Sequence, residues 1–219
     1  MYYQFSDGLL LIFCKAPVKG QVKTRLQPTL SVEQAVSAHI QLTKMTLDRA
    51  FEEPLCQVKL YCSPDTEHSF FKQCTLDYPL TLATQHGNDL GEKMLNAFTD
   101  ALTKFRHVVL IGCDCPSLSV KDLRSAFLAL QSGDDVVFAP AEDGGYVLIG
   151  LNVPQPTLFE NIVWGNENVM AETRNRVAHA KLKACELSEQ WDVDDIEGWQ
   201  RFLDHSSKFS ISENKQPYR

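Results

Sequence analysis

Apolar residues in this chain follow two patterns that alternate along its length. Unbroken apolar runs at 9–14, 108–111 and 136–139 lack polar alternation and predict strands covered on both faces. Residues 57–62 alternate and predict a further strand, and 80–83 a weaker one. Between the runs, apolar residues recur at helical spacing. After a capping Ser31 come Val32, Ala35, Val36, Ile40, Leu47, Ala50 and Phe51. A second stripe is Leu90, Met94, Ala97, Phe98, Ala101, Leu102 and Phe105. A third follows Ser119, with Leu123, Ala126, Phe127 and Leu130, and stops at Ser132-Gly133. A short helix is predicted over 66–73 and a late strand over 182–187. Trp164-Gly165-Asn166 opens a helix through Val169, Thr173 and Val177, and a last helix buries Ile196, Trp199, Phe202 and Leu203. Strands alternating with helices predict an α/β fold, a single doubly wound, mostly parallel, Rossmann-like sheet. One domain is expected over 1–205, and the polar segment 206–219 reads as a fraying C-terminal tail.

In such a sheet ligands gather outside the carboxyl ends of the strands. After the first strand, Lys15, Lys19, Lys23 and Arg25 fall within eleven residues, and Pro17 and Gly20 keep that segment out of a regular helix. Cations and free backbone N–H groups there suit phosphate oxygens, although a solvated basic loop is the simpler alternative. The loop is neither a P-loop, with Val22 before Lys23, nor a dinucleotide fingerprint. Gly112 and Pro116 end the run at 108–111 and leave Asp114 just past the strand, as a ligand for a divalent cation or as a turn and cap residue. Gly87, Asp89 and Gly91 lead into the second helix and bring backbone N–H groups to its N-terminus, a second anion or base contact or an ordinary loop. Glu142 and Asp143 beside Gly144-Gly145 suit either an acceptor hydroxyl or a hairpin turn. Asp192, Asp194 and Asp195 precede the last helix, where the dipole favours acid and where a second metal ligand is the alternative. His39 lies inside the first helix and reads as structural.

Composition narrows the partners. Hydrophobic content of 44% and a net charge of -7 describe a globular chain with no basic run for nucleic acid. No apolar run approaches the roughly 20 residues of a membrane span, and the N-terminus lacks the basic start of a signal peptide. Seven cysteines, an odd number without regular spacing, predict reduced thiols and a cytoplasmic setting. Cys113 and Cys115 have no matching pair to complete a zinc set.

Three motifs in order, running 13–26, 112–118 and 143–151, resemble a bacterial family classed as GT-A-fold glycosyltransferases. The resemblance extends to the Asp194 region. More distantly the chain is similar to the nucleotidyltransferases of molybdopterin guanylylation, 2-phospholactate guanylylation and CMP-sugar synthesis, which share the nucleotide-diphospho-sugar transferase fold. The resemblance implies a transferase that uses Mg²⁺ or Mn²⁺ and a nucleotide sugar or NTP. Asp114 matches the metal-binding Asp of those enzymes, and Val193-Asp194 aligns with the start of a late metal-binding segment, where Asp195-Ile196 replaces Thr-Pro. Lys15, Gly20, Lys23 and Arg25, with Gly87 and Asp89, would bind nucleotide phosphates, and Asp143 would orient or deprotonate an acceptor hydroxyl. The family commonly carries Trp-Ser-Thr where this chain has Trp164-Gly165-Asn166, which implies a different acceptor or none. Glycosyl transfer from a nucleoside-diphospho-sugar to a small-molecule acceptor is the expected reaction. The alternatives are nucleotidyl transfer to a small phosphorylated acceptor and an inactive nucleotide-binding protein.

Overall fold

The first strand, β1 (Gly8–Lys15), is buried at every residue but Lys15. Leu9, Leu11 and Phe13 enter one apolar layer, while Leu10, Ile12 and Cys14 enter the other. Successive side chains of a strand point to opposite faces, so a run without alternation is the signature of a strand sandwiched between two helical layers. Six more strands complete one sheet: β2 (Gln57–Ser63), β3 (Thr81–Thr84), β4 (His107–Ile111), β5 (Val136–Pro140), β6 (Tyr146–Leu151) and β7 (Ala184–Glu186). Their order is β3-β2-β1-β4-β6-β5-β7. β6 runs antiparallel to both its neighbours, and every other pairing is parallel. The computed structural model describes residues 2–213, with side chains described through 205.

Helices α1 (Val32–Ala50), α2 (Ser69–Asp77) and α4 (Val120–Gln131) cover one face, and α3 (Leu90–Leu102) and α5 (Val169–His179) the other. Ser31 and Ser119 each close a capping box, so the predicted starts of α1 and α4 hold to the residue. α2 begins later than the 66–73 expected, because the His68 imidazole accepts from the Phe70 N–H and sets the cap there. The last helix, α6 (Ile196–Glu213), continues past His205, through part of the predicted tail, and 214–219 lie outside the described residues. Once a helix is nucleated by packing, as here by Phe202 against Leu26 and Leu42, each further turn adds hydrogen bonds at little cost. None of the described helices is long and apolar enough to cross a membrane. The seven cysteines are free thiols, six of them buried.

The antiparallel β6 decides where the site forms. β5 returns through a tight turn into the slot beside β4, pairing Val136 with Leu151 and Ala139 with Leu148. That turn, at 141–145, therefore sits at the carboxyl edge with the ends of β1 and β4. Gly144 makes it, at φ 86, and a Cβ there would overlap the Glu167 carbonyl. Replacing Gly144 by Ala combines left-handed strain with a backbone overlap, so Gly144→Ala is expected to cost at least ~2 kcal/mol, a fall of roughly 4–8 °C in a thermal melt.

Candidate active site at the carboxyl edge

The loop after β1 is pinned by two buried apolar side chains, Val22 and Leu26. Between them Lys23 adopts a left-handed backbone, φ 46 and ψ 42, which turns its side chain inward until 6% of it remains exposed. The ammonium Nζ donates to Asp114 Oδ2 at 2.9 Å and to the Val193 carbonyl at 2.7 Å, with Asp194 Oδ1 at 3.5 Å. Arg25 reaches the other Asp194 oxygen at 3.3 Å. Burial pulls the Lys23 pKa down, but the charges of Asp114 and Asp194 outweigh it and hold it well above the lysine norm. Burial likewise pushes the Asp114 carboxyl up, and the Lys23 charge reverses this, so Asp114 lies below the usual carboxylate range.

A second acidic group stands beside this pair. One carboxylate oxygen each from Asp143, Asp192 and Asp194 lies within 4.8 Å of the others. Asp143 is held by its own turn, accepting from the Gly145 N–H at 2.9 Å. Residues 190–194 are stitched on both sides. Gln190 N donates to Pro140 O at 2.8 Å, Trp191 N to Ser117 Oγ at 2.9 Å, and Val193 N to Asp114 O at 3.0 Å. Burial first, then the charges of Asp114, Asp194 and Asp143, pushes Asp192 up to about 7. Three hard oxygen donors at such spacing form a set that suits Mg²⁺ or Mn²⁺. Of Asp114 and Asp194, the two metal ligands expected from sequence, Asp194 is in that group, and Asp114, outside it, pairs with Lys23 beside it.

Cys14, His39 and Cys113 form another close group, likewise within 4.8 Å. Here His39 Nε2 is 2.8 Å from the Lys15 carbonyl oxygen, and a hydrogen bond with Cys113 together with burial pushes the Cys14 thiol well up. The raised Cys14 thiol and an engaged imidazole tie the loop to α1 rather than presenting metal ligands. Cys115 turns away toward the Trp191 carbonyl.

A cavity of about 370 Å³, lined by Arg25, Asp143, Asp192, Asp194 and Arg201 among others, adjoins the carboxylates, and two others meet over this edge. The larger of these two, about 360 Å³, is lined by Lys15, Lys23, Arg25, His39, Gln85, Asp114 and Asp194 among others. The smaller, about 200 Å³, is lined by Met94, Asp143, Tyr146, Trp164 and Asp192 among others. Phe13, Leu90 and Gly112 border both. Of the residues expected to bind phosphate, Lys15, Lys23 and Arg25 thus share one cavity wall, while Gly20, Gly87 and Asp89 lie outside either lining. Asp89 caps α3, accepting from the Glu92 N–H at 2.8 Å, and Gly87 at φ 141 packs against that same first turn. Gln85, whose amide donates to the Tyr61 carbonyl at 2.8 Å, and Leu90 take their place at the wall. Asp192 joins Asp194 in the cluster because residues two apart share one side of an extended segment.

A family model described as "Uncharacterized protein conserved in bacteria (DUF2064)" matches residues 46–166. The chain belongs to that family. A candidate nucleotide-diphospho-sugar transferase from Desulfovibrio desulfuricans G20 resembles this DUF2064 protein at 30% identity over 87% of this chain and 84% of its own, with a TM-score of 0.80. The inositol-1-phosphate CTP transferase from T. maritima shares the fold at 8% identity, over 90% of this chain and 93% of its own, with a TM-score of 0.60. Rv0371C from Mycobacterium tuberculosis H37Rv, in complex with manganese, does so at 16% identity, over 92% and 98%, with a TM-score of 0.53. No curated protein sequence matches the DUF2064 chain.

Two outcomes follow from the charge arrangement. Asp192 has a folded pKa of about 7 against 3.8 for the free side chain, so it disfavours the folded state increasingly as pH rises from about 4 through about 7. In metal-free buffer Asp192→Asn should therefore melt higher than wild type at pH 8, and the two should converge near pH 4. Lys23→Met strands a partly buried carboxylate and should cost about 3 kcal/mol in denaturant unfolding, and adding Asp114→Asn should recover part of that loss.

Proposed function

We propose that this chain is a metal-dependent transferase that uses a nucleotide-activated donor and moves a glycosyl group from a nucleoside-diphospho-sugar to an acceptor hydroxyl. The observation that carries the reading is a single edge at which a cationic cavity, a three-carboxylate cluster and a largely apolar cavity adjoin in that order. The fold likeness to nucleotide-using transferases supports it. Asp192 and Asp194 would hold Mg²⁺ or Mn²⁺, which would supply positive charge to offset that of a departing diphosphate. The candidate D. desulfuricans transferase and the manganese-bound Rv0371C are in keeping with both halves of this reading.

Lys15 and Arg25, exposed on the loop, bind the diphosphate oxygens. Lys23 acts at one remove, fixing Asp114 and drawing the Val193 carbonyl so that Asp192 and Asp194 face the cavity. Asp143 stands where the carboxylate cluster meets the smaller cavity and takes the proton of the acceptor hydroxyl. The freed oxygen bonds to the anomeric carbon, the bond from that carbon to the diphosphate oxygen breaks, and the nucleoside diphosphate leaves with the electron pair. Preorganised charge of this kind acts at a dry, positioned site without reorganising, and removing one contact commonly costs a hundredfold or more in rate.

Binding can be read without knowing the acceptor. With a nucleoside-diphospho-sugar at about a hundred times its Kd, Mg²⁺ or Mn²⁺ should raise the melting temperature of wild type by roughly 5–10 °C, and Asp194→Asn should abolish the metal-dependent part. Stabilisation by a nucleoside triphosphate alone would replace glycosyl by nucleotidyl transfer, and no response to any nucleotide would leave the reading without its donor. Once an acceptor is in hand, Asp143→Asn should keep donor binding while lowering turnover about a hundredfold or more.

A further inference from the structure

The smaller cavity has a composition unlike that of its neighbour. Its walls are mostly apolar and aromatic, with Phe13, Leu90, Met94, Ile149 and Trp164 prominent, and its lining contains no Lys, Arg or His. The ionisable side chains that face it are two carboxylates, Asp143 and Asp192, and the phenol of Tyr146. Lys15, Lys23 and Arg25 line the other cavity, and Arg201, which borders Asp143 and Asp192 from α6, is paired with Glu142. A phosphate or carboxylate entering the smaller cavity would meet two carboxyl groups and no cationic side chain, only the neutral donors of Tyr146 and Trp164. Tyr146 stands edge-on to Trp164, ring centroids 6.3 Å apart at 89°, and among the described residues its hydroxyl has only the Met94 thioether, 4.0 Å away. Sulfur at that distance is a feeble acceptor, so the hydroxyl retains its capacity to bond an uncharged oxygen. Burial also pushes the Tyr146 phenol far above its ordinary range, so it serves as a neutral donor. A volume of about 200 Å³ compares with the roughly 150 Å³ apolar cavities that accept benzene.

We infer that the smaller cavity binds the body of the acceptor, and that this body is an uncharged, largely apolar alcohol about the size of one substituted ring. Its placement as acceptor rests on the transferase reading above; the class of ligand rests on the walls alone. The ring lies against Trp164 and Tyr146, the hydroxyl is turned toward Asp143, and a phosphorylated acceptor is disfavoured because the lining offers it no cationic side chain.

The test uses the full chain, labelled with ¹⁵N and held in chelator so that no metal retains a phosphate, with benzyl alcohol, toluene and benzyl phosphate as probes. The indole N–H signal of Trp164, one of three tryptophans and assigned through Trp164→Phe, reports on the cavity. Benzyl alcohol should move that signal saturably, and benzyl phosphate should bind about tenfold or more weakly. Tyr146→Phe, which keeps the ring contacts, should reduce the preference for benzyl alcohol over toluene. Benzyl phosphate binding as tightly as the alcohol would overturn the inference, as would a Trp164 signal that neither neutral probe moves in a protein that does respond to metal and nucleotide. Saturable alcohol binding in a protein that no nucleotide stabilises would uphold the ligand class and remove the transferase reading instead.

Discussion

One nearly buried ammonium organises this carboxyl edge. Lys23 reaches from the loop after β1 to Asp114 beyond β4 and to the Val193 carbonyl before α6, three segments far apart in sequence. Such a charge is tolerated out of water only when its donors are met, and here two carboxylates and a carbonyl meet them. The left-handed backbone at Lys23 costs on the order of 1 kcal/mol, and the burial of Val22 and Leu26 on either side holds it in place. Asp114 therefore serves the edge as the anchor of a cation, and the segment that follows Val193 is drawn to the same point.

The carboxylate cluster exists because two loops that have no regular structure are nonetheless fixed. The β5–β6 turn is short and glycine-made, which leaves Asp143 little freedom. The 190–194 segment hydrogen-bonds to Pro140 and Glu142 on one side and to Ser117 and Asp114 on the other, so it behaves as an added strand between them. Arg201 lies 4.3 Å over the Trp191 ring and also pairs with Glu142 at 2.8 Å, tying α6 to both. Asp192 and Asp194 are thereby brought to Asp143 against their mutual repulsion, which adds to burial in raising the Asp192 pKa.

Charge is sorted along the edge. Cations line the larger cavity, carboxylates stand in the middle, and apolar walls enclose the smaller cavity. Phe13 and Gly112, at the ends of the two central parallel strands, form the floor common to both. A Cβ on Gly112 would approach Asp114 Oδ1 to 2.9 Å, so the bare glycine is what lets the carboxylate fold back toward Lys23.

The sequence by itself determined the doubly wound sheet, because unbroken apolar runs alternating with 3.6-residue stripes leave no other layering that buries both. It also determined the capped starts of α1 and α4, the basic loop and the acid after β4, since each is encoded within a few consecutive residues. What it left open were contacts between segments. Only the tertiary structure turned Lys23 inward to Asp114, assigned Asp89 to a helix cap, and added Asp192 to Asp143 and Asp194. Those outcomes depend on the antiparallel insertion of β6 and on the stitching of 190–194 across the edge, which involve partners up to 170 residues apart that no local pattern records.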